Sequence, residues 1–365
     1  MNRTGTGAQI RAGIANLETA THFALATLAL ASGVYTYLGV RDLLDGSATA
    51  VFLGAIVYSS AVSVAIYAFW TYLMRFMPHV RQPSGRRMLY LAMALGSAMI
   101  IAMSSWLNAS ALAGSAALEQ HLSVTTEAYQ EKLNEAHESA LAAQSLLPDI
   151  QLAAQRFQGL AQEEARSGAL TGTSGSGTVV QLLRQMAGQL TGLQSEIEAS
   201  RSTAQTIFDE GGARLAAMRQ LVTSQGPVSD RANAFAEEAV QLSGLITALQ
   251  QTSVAPAVKR AADDLGRSFI APVADGSDPA LRVRQSEVVG RVEEAVRAQS
   301  VQLSQAADEI LQRPAVEPFR FTPLSAPEAV IRYAGDFLPS WAGAISIDLL
   351  PAVLIFILCI VQDVI

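Results

Sequence analysis

Four apolar runs, each long enough to cross a bilayer, constrain this chain more than any other feature. They cover residues 22–40, 49–74, 88–112 and 341–361. Crossing a hydrocarbon layer of ~30 Å takes about 20 helical residues. Any one of these runs alone could be a buried helix of a soluble core. Four together, three of them inside the first 112 residues, predict an all-α membrane protein. The expected architecture is four transmembrane helices with a long extracytoplasmic helical bundle or coiled coil inserted between helices 3 and 4.

Charge follows the same division. Of 365 residues only 16% are charged, against about a quarter in ordinary soluble domains. Residues 115–337 hold 18 Lys+Arg and 27 Asp+Glu, so the acidic balance belongs to the excursion. An acidic surface of that kind excludes nucleic acid as a partner. Lys132 and Lys259 are the only lysines, and the preference for arginine points to a bacterial source.

Orientation is read from the arginines. The loop 75–87 carries Arg75, Arg81, Arg86 and Arg87 without an acidic residue, and Arg3 and Arg11 lie in the N-terminal segment. The loop 41–48 has one arginine against Asp42 and Asp45. Positive charge marks the cytoplasmic side, so both termini are expected in the cytoplasm of a bacterial inner membrane and the large domain in the periplasm. The division expected is 1–21, a cytoplasmic segment; 22–112, a three-helix membrane region; 113–312, the outer helical domain; 313–340, a segment of prolines and aromatics along the outer membrane surface; and 341–365, the fourth helix. Ile10, Ile14 and Leu17 share one helical face, which fits a segment lying along the inner leaflet or a plain tail.

Small residues at helical spacing, Ala29 with Gly33, Ser59 with Ser63, Ala92 with Gly96 and Ala98 with Ala102, predict spans packed into a bundle.

In the outer domain Val179, Leu183, Met186, Leu190, Leu193 and Ile197 step by four and three, the spacing of a heptad seam. Val289, Val292, Val296, Leu303 and Ile310 follow the same step near its end. Turn chemistry at Pro148, at 168–177, around Pro227 and at 270–279 predicts helices near 115–146, 149–167, 178–224, 230–252, 256–268 and 279–312. Gly211 and Gly212 are where the longest of them is expected to bend or break. A seam of this length must be buried by other helices of the chain or by other chains.

Site chemistry is sparse. His121 and His137 have no partner at metal-ligand spacing, and the stripe Glu127, Glu131, Glu135 and Glu138 reads as a solvated helix face. Residues 172–177 lack the Gly-Lys-Ser/Thr ending of a phosphate loop. Lone Cys359 excludes a disulfide within the chain. No catalytic, metal or cofactor site is expected, and hence no enzyme. The intramembrane candidate is Asp348 with Pro351 three positions on, in the fourth apolar run. A carboxylate at that depth costs about 2.5–3.5 kcal/mol and calls for shielding, a partner or a function. The choices are an ion or proton relay, a polar lock to another subunit, or a carboxyl near the outer interface, either protonated or bonded to Ser346, Tyr or Ser neighbours. Spans one to three are expected to offer only Ser, Thr and Tyr as polar groups.

The function expected is a non-catalytic envelope protein whose partners are lipid, further copies of itself or other membrane proteins. Its outer domain would serve assembly or docking. The alternatives are a sensor, since the layout resembles receptors with a ligand-sensing outer bundle, and a transporter or channel subunit using Asp348.

Overall fold

The computed structural model describes residues 3–44, 46–80, 82–168, 177–267 and 279–363. Arg81 and the two expected loops lie outside the described residues, the loops apart from Gly168, Gly177 and Pro279. Every regular element among the described residues is helical: α1 (Arg3–Leu43), α2 (Ala48–Phe76), α3 (Pro83–Ile100), α4 (Trp106–Leu141), α5 (Leu147–Ser167), α6 (Thr178–Thr223), α7 (Val228–Gln251), α8 (Ala255–Arg267), α9 (Pro279–Leu311), α10 (Ala326–Arg332) and α11 (Leu338–Asp363). A π-helical turn (Ile101–Ser105) joins α3 to α4 and a 3₁₀ turn (Ala142–Leu146) joins α4 to α5. Four of the helical stretches are long and apolar enough to span a membrane: Asn16–Leu43, Ala48–Phe76, part of Pro83–Ser167, and Leu338–Val361.

Helices run through two of the expected divisions. The N-terminal segment is one helix with the first span, and the third apolar run continues without a break to Leu141. Neither 3–43 nor 83–141 contains a proline after the first residue, and alanine-rich sequence sustains a helix once it has started.

The chain divides into two compact units. The first comprises Met1–Ser123, Gly226–Ser229 and Thr322–Ile365; the second comprises Val124–Gln225 and Asp230–Phe321.

In the first unit α1 and α2 touch through small residues. Ser63 Oγ donates to the carbonyl of Ala29 at 2.8 Å, and a Cβ placed on Gly33 would lie 2.8 Å from that of Ser63. A Cβ on Gly39 would meet the Leu107 carbonyl oxygen at 2.8 Å. Leu25, Ile66, Trp70, Ile355 and Leu358 fill the core beside these contacts. Leu30, Phe52, Val57, Leu91 and Met99 are exposed, the outward apolar face that lipid requires. The third span meets the small-residue expectation only at Gly96, which sits against the Phe69 ring. Ala92, Ala98 and Ala102 face outward, while Ser97, Ser104, Ser105 and Asn108 are buried. An outward hydroxyl gains nothing from hydrocarbon, so this helix turns its polar side inward.

The segment before α11 packs against the start of α4. Trp106 Nε1 donates to the Pro327 carbonyl at 3.0 Å, and Ala326 sits against Gly114. His121 Nε2 donates to the Thr322 carbonyl at 2.9 Å, and Nδ1 shares a hydrogen bond of 3.0 Å with the Tyr333 hydroxyl. Ser325 and Glu328 form a capping box that starts α10. The Ser325 backbone N–H and hydroxyl hold the Glu328 carboxyl below its ordinary range.

The second unit is a helical bundle. All six residues of the first heptad run, Val179 to Ile197, are buried, and so are Val289, Val292, Val296, Leu303 and Ile310. Most of them share one core with Ile150 and Phe157 of α5 and Val258 and Leu265 of α8. α6 runs 46 residues, roughly 69 Å at ~1.5 Å per residue, and does not break at Gly211. Gly211 instead makes room for a neighbour, since a Cβ there would lie 2.8 Å from a methyl of Leu133. The end of α6 is capped from α7: Arg231 Nη1 donates to the carbonyls of Leu221 and Val222 at 3.0 and 2.8 Å. A cation at the carbonyl end of a helix complements its dipole.

Candidate functional site

Asp348 lies ten residues into α11 and is 1% exposed. Its partners come from elements far apart in sequence. Oδ2 lies 2.6 Å from Ser104 Oγ and accepts from Ser105 Oγ at 2.7 Å, and Oδ1 accepts from Ser32 Oγ of α1 at 3.1 Å. A second layer extends the network, with Asn108 Nδ2 donating to Ser32 Oγ at 3.3 Å and Thr36 Oγ1 to Asn108 Oδ1 at 3.4 Å. Ser32, Thr36, Ser104, Ser105 and Asn108 are all at least nine-tenths buried.

Local geometry explains how two consecutive serines reach one oxygen. Neighbouring residues of an α-helix point roughly 100° apart. Ser104 and Ser105 close the π-helical turn Ile101–Ser105, whose wider backbone presents both hydroxyls to α11. Such turns concentrate at functional positions. Ser32 and Thr36 are four apart on α1, as Ser104 and Asn108 are in sequence, so each pair shares a face. Pro351 is buried within α11 and leaves the carbonyl of Ile347 without its usual helical donor.

The expected partner Ser346 is not one of them: it is exposed and donates to the carbonyl of Ala342 at 2.7 Å. The carboxyl is instead satisfied inside its own chain, so no second subunit is needed to lock it. Asn108, which the inventory of Ser, Thr and Tyr leaves out, is the member that ties α4 to both hydroxyls of α1. Its signal was a single amide inside an apolar run.

The remaining sequence candidates stand apart from this cluster. Arg75 ends α2, and Arg86 and Arg87 sit in the first turns of α3, with the Arg86 guanidinium 6.0 Å from the Tyr90 ring. The two heptad runs lie in the second unit. His137 stacks on Phe208 with ring centroids 4.0 Å apart. Lys132 pairs with Glu135 at 2.8 Å, and Lys259 pairs with Asp308. No group of three or more His, Cys, Asp and Glu able to hold a metal ion occurs among the described residues.

The cluster can hold a proton or orient a hydroxyl chain. Its atoms touch at hydrogen-bond distance, so there is no room between them for an ion or substrate. No protein-family model, curated protein or solved structure matches this chain.

Proposed function

We propose that this chain is a non-catalytic protein of the bacterial inner membrane whose helical second unit is a periplasmic docking surface within a larger membrane complex. The orientation rests on the arginines of the 75–87 loop, which belong on the cytoplasmic side by the positive-inside tendency. Both termini then lie in the cytoplasm.

The observation that carries the docking reading is the burial of both heptad runs within one chain. A bundle that has already covered its seams needs no second copy to fold. Residues 115–337 carry 27 Asp+Glu against 18 Lys+Arg, an acidic balance suited to a partner that comes and goes. The same observation removes the seams as a reason for self-association. Among the described residues a sensor has less to stand on. The cleft of ≈ 220 Å³ lined by Lys132, Ser243, Gln250, Glu317 and Arg320 is smaller than the ~300–1,000 Å³ of ordinary ligand sites. The larger depression, ≈ 490 Å³, is lined by α5 alone.

The test is gentle extraction in native lipid, followed by mass determination and identification of what accompanies the chain. A stoichiometric companion that stays bound to wild type and leaves when exposed acidic residues of α6 and α9 are replaced supports docking. A chain that emerges alone under every mild condition overturns it.

A further inference from the structure

We propose that Asp348 is a proton-binding site of the membrane bundle, occupied by a hydrogen that its Oδ2 donates to Ser104. The inference is independent of the docking reading and rests on counting hydrogens. Thr36 gives its one hydroxyl hydrogen to Asn108, Asn108 gives an amide hydrogen to Ser32, and Ser32 gives its own to Oδ1 of Asp348. Ser105 gives its hydrogen to Oδ2. Ser104 is the exception. Its oxygen lies 2.6 Å from Oδ2 and 2.8 Å from the carbonyl oxygen of Ile100, yet a serine has a single hydrogen to donate. With an ionised carboxylate, one of those two contacts would set lone pairs against each other at hydrogen-bond distance. A proton on Oδ2 completes the set: Oδ2–H donates to Ser104 Oγ, and Ser104 donates to Ile100.

The surroundings agree. Apart from Asp348, the apolar stretches 23–40, 49–74, 88–118 and 338–362 carry no Asp, Glu, His, Lys or Arg. Their titratable groups are Tyr35, Tyr37, Tyr58, Tyr67, Tyr72, Tyr90 and Cys359, and the hydrogen bonds of Asp348 go to the three serines instead. Among the described residues no cation is paired with Asp348, and burial of an unpaired charge is costly. When the proton leaves, Ser104 must turn its hydrogen from Ile100 to Oδ2. The π-helical turn is therefore the element that responds to occupancy.

Infrared spectroscopy of the full chain in lipid vesicles at neutral pH tests this. Carboxyls in water are ionised there, so the carbonyl stretch of a protonated acid reports a shielded one. The result expected is such a band that shifts in D2O, moves to a new frequency in Ser104→Ala and vanishes in Asp348→Asn. Asp348→Asn, a neutral isostere with a hydrogen to donate, retains most of the thermal stability, whereas Asp348→Leu does not. Should Asp348→Asn fail to fold, the Ser104→Ala displacement still assigns the band. A wild-type spectrum with carboxylate stretches alone overturns the proposal, as does a protonated band indifferent to Ser104→Ala.

Discussion

Ser105 Oγ lies 2.7 Å from Asp348 Oδ2, although 243 positions separate the two residues in the chain. Bonds of this kind are what hold α11 against the π-helical turn. Hydrogen bonds between membrane helices contribute about 0.6 kcal/mol on average and up to ~1.7. Ser105→Ala is expected to cost within that range. Asp348→Leu is expected to cost more, about 1–3 kcal/mol, because it leaves the Ser32 and Ser105 hydroxyls without their acceptor. A double-mutant cycle by denaturant titration in mixed micelles measures the coupling. Additive losses would show that the two residues do not act together.

Glycine has opposite meanings at packed and at open positions. At Gly39 an added methyl meets the backbone of Leu107, which cannot swing aside. Gly39→Ala is expected to destabilise the helical packing of the first unit by about 1–3 kcal/mol, the usual range for overpacking. Gly188 and Gly192 lie on the exposed side of α6 with nothing within 4 Å. Replacing either with alanine is expected to stabilise by about 0.5–1 kcal/mol through helix propensity. Thermal unfolding of the three variants checks both directions at once.

Arg231 is 7% exposed, and its guanidinium closes the end of α6. Hydrogen bonds to charged groups contribute about 1.5–3 kcal/mol. Arg231→Ala is expected to lose about that much and to raise amide exchange first in the last turns of α6. Exchange that rises evenly along the helix would count against the capping role.

Burial pushes the His137 imidazole below its ordinary value, against the weaker opposing effects of Asp209 and Glu138. Its buried Nδ1 has no hydrogen-bond partner among the described residues, and the ring stacks on Phe208. The unfolded chain therefore binds a proton at this ring over a pH range in which the folded chain resists it. Stability of the second unit is expected to hold above the ordinary histidine value of about 6.5, decline as pH falls through it, and level once the folded ring also protonates. His137→Gln is expected to flatten that decline in a pH series of exchange protection for α4 and α6.

Much of the helical layout was legible because its determinants are local. The ends predicted for α5 through α9 differ from those observed by at most two residues, since Pro148, Gly168, Gly177, Pro227 and Pro279 act on their own backbone. Gly211 misled for the same reason. Its local tendency is to interrupt a helix, and only the position of Leu133 shows that the missing side chain serves packing.

The sequence by itself determined that four helices are apolar enough to cross a membrane, where most helices begin and end, and which faces of the second unit are apolar. Each of these depends on residues within a few turns of one another. Tertiary structure alone decided which polar residues of the apolar runs converge. A serine in a membrane helix can bond back to its own carbonyl, as Ser346 does, or reach another helix, as Ser32 does. The two are alike in sequence. Their difference arises from the packing of α1, the π-helical turn, α4 and α11, which gathers Ser32, Ser104, Ser105 and Asn108 around one carboxyl.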